Sequence, residues 1–237
     1  MRSKKLALFF VIVFILSLIG CAQSKSIDIS ELIIEKAKSY EMNEDQFIRL
    51  QISYDEFKEN MKDIVVDINY FDNREMFGYK GISGNRMYLA KDLVGLTLDE
   101  IKILEDDVEN EQRKQYEEKG LDYDKYKKEM EIKYGNPFIE IKLSNVYDYK
   151  GYNWKYVYSQ THIKYNNNNK TEGIINKRYR FVEENGGWKI LNVDQSFANW
   201  GKDSLVMKEE LLKNLKYTTF NNEAIEYIKI FQLRETN

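Results

Sequence analysis

The chain has 237 residues, 36 of them basic and 39 acidic, with one histidine, one cysteine and one proline. One cysteine excludes an internal disulfide, and with one histidine it leaves too few ligands for a zinc site. The mildly acidic balance argues against nucleic acid or an anionic lipid surface as the main partner, and a lone proline excludes a proline-rich stalk.

The first element is an address. Arg2, Lys4 and Lys5 open the chain with no negative charge, and residues 6–20 ("LALFFVIVFILSLIG") follow as fifteen uncharged positions. A helix needs roughly 20 apolar residues to span the hydrocarbon of a bilayer, so this run is short for a span and has the form of a secretory signal. It ends Leu18-Ile19-Gly20-Cys21, which resembles the lipobox of bacterial lipoproteins. The resemblance implies a diacylglyceryl group on the Cys21 thiol and cleavage before it, so that Cys21 becomes an acylated N-terminus on the outer face of the cell membrane. Two chains anchor a protein firmly where one does so marginally. Removing 20 of the 237 residues leaves 217, with 33 basic against 39 acidic and hence a net charge of −6. Residues 22–26 ("AQSKS") form a tether of five residues, which reaches about 18 Å at full extension.

The organisation expected is therefore a signal peptide at 1–20, a lipidated cysteine and tether at 21–26, an α+β domain at 27–200 and a C-terminal extension at 201–237. Ser30 is the expected cap of a first helix with Leu32, Ile33, Ala37 and Tyr40 apolar. Ser53-Tyr54-Asp55-Glu56 has the form of a capping box, and Phe57, Met61, Ile64, Val65 and Ile68 continue it as one helical stripe. "FGYKGISGN" is a loop or short hairpin. Thr97-Leu98-Asp99-Glu100 is a second capping box, opening a helix with Leu98, Ile101, Leu104 and Val108 inward and Gly120 as its stop. Asp122 caps the next helix, ended by Gly135 and Pro137. The intervening "EDDVENEQRKQYEEKG" is a solvated charged face, lacking the spaced aspartates and glycine of a calcium loop.

After Pro137 the period changes to two. Ile139, Ile141 and Leu143 share one side of a strand. In the next strand Trp154, Tyr156, Tyr158 and His162 alternate with Val157, Ile163 and Tyr165. "GIINKRYRFVEENGGWKILNV" is a hairpin about an Asn185-Gly186 type I′ turn, which sets Glu183 opposite Trp188, Phe181 opposite Ile190 and Tyr179 opposite Asn192. Arg178, Arg180 and Lys189 fall on its other face with Val182 and Leu191. Residues 204–216 have a helical pattern, and "EAIEYIKIFQL" fits helix and strand alike.

Helices followed by long aromatic antiparallel strands, closing on "YRFVEENGGWKILNV", are similar to the nuclear-transport-factor-2-like fold over about residues 30 to 195. That resemblance implies a curved antiparallel sheet wrapping N-terminal helices around a pocket, with the C-terminal extension as a departure. It places Trp154, Tyr156, Tyr158, Tyr179, Phe181 and Trp188 along the pocket, with Glu183 at its rim. Core packing accounts for such rings first, and a pocket for an apolar or sugar-like ligand is the alternative.

No phosphate loop, metal cluster or nucleophile–base pair stands out; His162 fits a packed or surface histidine, and no cofactor is implied. "NKT" at Asn169 matches a glycan acceptor, but the lipobox context argues against its use. The function expected is a non-catalytic lipoprotein that docks a protein partner in the cell envelope. The alternatives are a small-ligand binder using the aromatic face and, behind it, a pocket enzyme.

Overall fold

The computed structural model describes residues 28–81, 84–134, 137–149, 151–164, 173–198 and 225–234. The signal segment expected at 1–20, Cys21, the tether expected at 22–26, Tyr165, Asn169 and the helix expected at 204–216 lie outside these residues. The chain divides into compact units at residue 32, and of the first only residues 28–32 are described, where they open helix α1.

The class is α+β. Among the described residues there are four α-helices: α1 (Ile29–Ile48), α2 (Tyr54–Met61), α3 (Leu98–Glu118) and α4 (Tyr123–Tyr134). The strands are β1 (Glu75–Gly81), β2 (Gly84–Leu89), β3 (Phe138–Ser144), β4 (Tyr147–Asp148), β5 (Trp154–Lys164), β6 (Gly173–Glu184), β7 (Gly187–Ala198) and β8 (Tyr227–Arg234). β1 and β2 make a separate hairpin; the others form an open antiparallel sheet in the order β7-β6-β5-β3-β8, with β4 beside β5.

The helix starts follow their caps. Ser53 Oγ accepts from the Glu56 amide while Glu56 accepts from the Ser53 amide at 2.8 Å, and Thr97 and Glu100 repeat the arrangement. Asp122 Oδ1 accepts from the Lys125 amide at 2.9 Å. The first helix differs from expectation: Asp28, not Ser30, caps it, its carboxylate accepting from the Ser30 amide at 2.9 Å. The stripe expected to run on to Ile68 breaks at Met61. Ile64 and Val65 are buried all the same, because residues 64–66 leave the helix and run beside β7 (Ile190 N to Ile64 O 2.8 Å, Val66 N to Ile190 O 2.9 Å). The sheet edge thus supplies the backbone hydrogen bonds that a longer helix would have supplied.

One face of the sheet carries the main core. Ile33, Ala37, Tyr40 and Phe47 of α1 and Tyr54, Phe57 and Met61 of α2 pack with Ile141, Leu143, Val157, Tyr179, Phe181 and Ile190. Rings link the layers: Phe47 stacks on Phe57 at 4.6 Å, Phe57 meets Phe71 edge-on at 4.8 Å, and Tyr40 meets Tyr179 edge-on at 5.3 Å. Helices α3 and α4 are tied to one another by ion pairs from Arg113 to Asp124 (2.7 Å) and Lys127 to Glu109 (2.8 Å).

Asn185 and Gly186 both have positive φ, 52° and 78°, as a type I′ turn requires. Glu183 pairs with Trp188 and Phe181 with Ile190, as expected. Beyond that the register shifts, so Tyr179 faces Val193 instead of Asn192, and Leu191 sits in the irregularity, exposed. The ambiguous tail segment is a strand: β8 pairs with β3 along its length and so belongs to the main sheet.

Candidate functional site

Two groups of polar and aromatic side chains stand out, one on each face of the sheet. On the helix-covered face, Glu41 and Glu44 of α1 meet Lys177 and Tyr179 of β6 and Ser159 of β5. The Lys177 ammonium donates to Glu41 Oε2 at 2.7 Å and to Glu44 Oε2 at 2.6 Å. Glu41 Oε1 accepts from Ser159 Oγ at 2.8 Å and from the Tyr179 hydroxyl, and Glu44 Oε1 accepts from Arg74 at 2.6 Å. Glu41, Glu44 and Lys177 are only 3%, 8% and 6% exposed, so two carboxylates and one ammonium meet almost out of water, with the half-buried Arg74 as the second cation.

The protonation states follow from that geometry. Burial alone would raise the Glu44 carboxyl, but Lys177 and Arg74 reverse this and hold it below the ordinary range. Burial works against the charge of Lys177, and the carboxylates of Glu41 and Glu44 hold it above the usual lysine value. The Tyr179 hydroxyl is pushed well up by burial and then by Glu41. Every carboxylate oxygen has a donor, and Lys177 and Tyr179 keep their protons at neutral pH. This network clamps α1 to β5 and β6; none of these three groups is poised to exchange a proton.

The opposite face carries an arginine–aromatic ladder. β4 and β5 are joined by a tight connection in which Gly151 has φ 92°, a conformation suited to glycine. It brings Tyr149 and Tyr152 beside Trp154, with Tyr152 stacked on the indole at 4.4 Å and 15°. Across the strand pair, the Arg180 guanidinium lies over Trp154 at 4.9 Å and Tyr156 at 5.7 Å. Arg178 lies over Tyr156 at 5.4 Å and pairs with Asp194 at 2.6 Å. Such contacts fix a guanidinium plane against ring faces. Tyr152 and Tyr149 are 61% and 46% exposed, whereas Tyr156 and Tyr158 are buried with Ile225, Tyr147 and Tyr227 in a second apolar cluster.

The six rings expected to share one pocket are divided by the sheet. Tyr156 pairs with Arg180, and Val157 with Tyr179, so Trp154, Tyr156 and Tyr158 lie on the face of Arg178 and Arg180. Tyr179, Phe181 and Trp188 lie in the main core under the helices. Glu183 is exposed and accepts from Asn153 at 3.3 Å, away from the buried carboxylates. Glu41, Glu44 and Lys177 were not anticipated as a group. Their signal was present: Glu44 falls on the stripe Ile33, Ala37, Tyr40, Phe47 at steps of three and four, where an apolar residue is expected.

His162 closes a buried row on the ladder face. Its Nε2 is 2.7 Å from Gln160 Oε1, an acceptor only, so the neutral ring carries its proton there; Gln160 Nε2 in turn donates to Asn176 at 3.1 Å. Burial, then Lys142 and Lys164, depress its pKa to about 4. A depressed folded pKa means that the unfolded state takes up the proton first as pH falls. The His162 contribution is complete above about pH 6.5, declines below it and is gone below about pH 4, a loss of about 3 kcal/mol. In urea titrations across this window, the wild type is expected to lose that much more stability than His162→Gln. Parallel curves would show that the ring titrates normally in the fold.

Among the described residues no three His, Cys, Asp or Glu side chains converge as metal ligands, and no helix is long and apolar enough to cross a membrane. No family model matches the chain, and no curated protein and no solved structure is significantly similar to it.

Proposed function

We propose that this chain is a lipoprotein of the cell envelope, held on the outer face of the membrane by acylated Cys21, whose α+β domain docks a protein partner without catalysing a reaction. The observation that carries this is Cys21 directly after fifteen uncharged residues that end Leu18-Ile19-Gly20, behind a basic start. Tyr149, Tyr152, Trp154 and Arg180 support the docking part, since tyrosine, tryptophan and arginine dominate the energetic centres of protein interfaces. The helices on one face of an antiparallel sheet agree with a nuclear-transport-factor-2-like arrangement, which belongs to the same proposal. A small-ligand binder is the second reading, narrowed to the Trp154, Tyr156 and Tyr158 face with Arg180 beside it.

Radiolabelled fatty acid should enter the wild-type protein and not Cys21→Ala, which should leave the membrane fraction; label in the variant would overturn the anchor. Inserting about 20 flexible residues after Ser26 lets the domain range further from the bilayer and lowers its effective concentration at a membrane-embedded partner. Cellular function should then decline. Undiminished function would favour a diffusing small ligand over a membrane partner.

A further inference from the structure

We infer that Arg180, set between Trp154 and Tyr156, is the receptor for a carboxylate carried by an acidic segment of the partner protein; this rests on the docking reading above. Three observations converge on Arg180. The neighbouring arginine is already neutralised: Arg178 is paired with Asp194 at 2.6 Å. Arg180 has no carboxylate partner among the described residues, and its Nε is buried without a hydrogen-bond acceptor. Its guanidinium is held over two rings at 4.9 and 5.7 Å, so its position is set before any ligand arrives.

Charge complementarity selects the occupant. A guanidinium fork matches a carboxylate with two parallel N–H···O bonds, and the surrounding rings lower the local dielectric and strengthen them. The exposed Tyr149 and Tyr152 rings extend the Trp154 surface, so the acidic group is expected to be flanked by side chains able to lie on aromatic faces. Among the described residues, Arg180 is a guanidinium without a carboxylate partner at an aromatic centre, so it attracts an acidic group although the chain as a whole is net acidic.

The test is photo-cross-linking in intact cells with the full-length, lipidated protein carrying benzoylphenylalanine in place of Tyr152, and in separate strains in place of Ile132 or Ile230, both exposed and outside the ladder. A protein adduct is expected at position 152, and the cross-linked peptide should contain Asp or Glu. Arg180→Met and Arg180→Glu should each reduce that adduct at least tenfold, with the reversal stronger, while membrane fractionation and thermal melting stay at the wild-type level. An adduct that survives both substitutions, a cross-linked peptide without acidic residues, or an adduct that is lipid, glycan or a second copy of this chain overturns the inference. A protein adduct at position 132 or 230 and none at 152 also overturns it, yet leaves docking intact. No protein adduct at any of the three positions overturns the docking reading itself. If Arg180→Glu proves unstable, Arg180→Met decides the outcome, because it keeps an apolar stem on Trp154.

Discussion

Lys177→Met is expected to destabilise the domain by roughly 3–5 kcal/mol, because it leaves Glu41 and Glu44 buried side by side without the ammonium that bridges them. At about 2–4 °C per kcal/mol for a domain of this size, the melting midpoint should drop by about 10 °C. The loss is not the worth of the ion pair. It is the cost of stranding charge, so it should be largely recovered in Lys177→Met with Glu41→Gln and Glu44→Gln. In that variant the neutral amide that replaces the Glu41 carboxylate can still accept from Ser159 and Tyr179, and Arg74 is exposed enough to be hydrated. Thermal melts of the single and triple variants check this. A single variant that melts like the wild type would show that water or rearrangement already screens the carboxylates.

The hairpin gives the second large effect. Phe181→Ala should cost about 3–5 kcal/mol and Ile190→Ala about 2–5 kcal/mol, each leaving a cavity where the other side chain packed. Phe181 and Ile190 are directly paired across β6 and β7 and are 0% and 2% exposed. The double variant should therefore lose less than the sum of the two, by more than the roughly 0.5 kcal/mol scatter seen for independent sites. Urea denaturation of all four proteins completes the cycle, and strict additivity would mean that the two side chains do not share a contact in solution.

What could be read in the sequence was what is encoded locally. Ser53 with Glu56, Thr97 with Glu100, and Asn185-Gly186 each place their chemistry within four residues, and each forms as anticipated. The tight turn also fixed the pairing of Phe181 with Ile190. The alternation of Trp154, Tyr156 and Tyr158 was legible within β5, but its phase relative to β6 was not. The two strands are joined through residues 165–172, a connection too long to set a register, so nothing local says that Tyr156 faces Arg180 and not Tyr179. The site was harder still. Glu41 and Lys177 are 136 positions apart, and a carboxylate on an apolar stripe signals a buried partner without saying which cation supplies it. Arg180 was assigned to the outer face, but its place on Trp154 and Tyr156 depends on that same strand pairing.

The separation between Glu41 and Lys177 also orders assembly in time. Until β6 has been synthesised, Glu41 of α1 has no cation to meet, and docking α1 onto β3 and β5 alone would bury its carboxylate with Ser159 as its donor and no countercharge. The closing pair, β3 with β8, waits for a strand that begins at Tyr227. Early, partial compaction of the N-terminal half is therefore penalised, and loop-closure entropy adds to the delay. The same charges that fasten the finished domain keep a nascent chain open, which suits a polypeptide that, on the proposed reading, crosses a membrane before it folds.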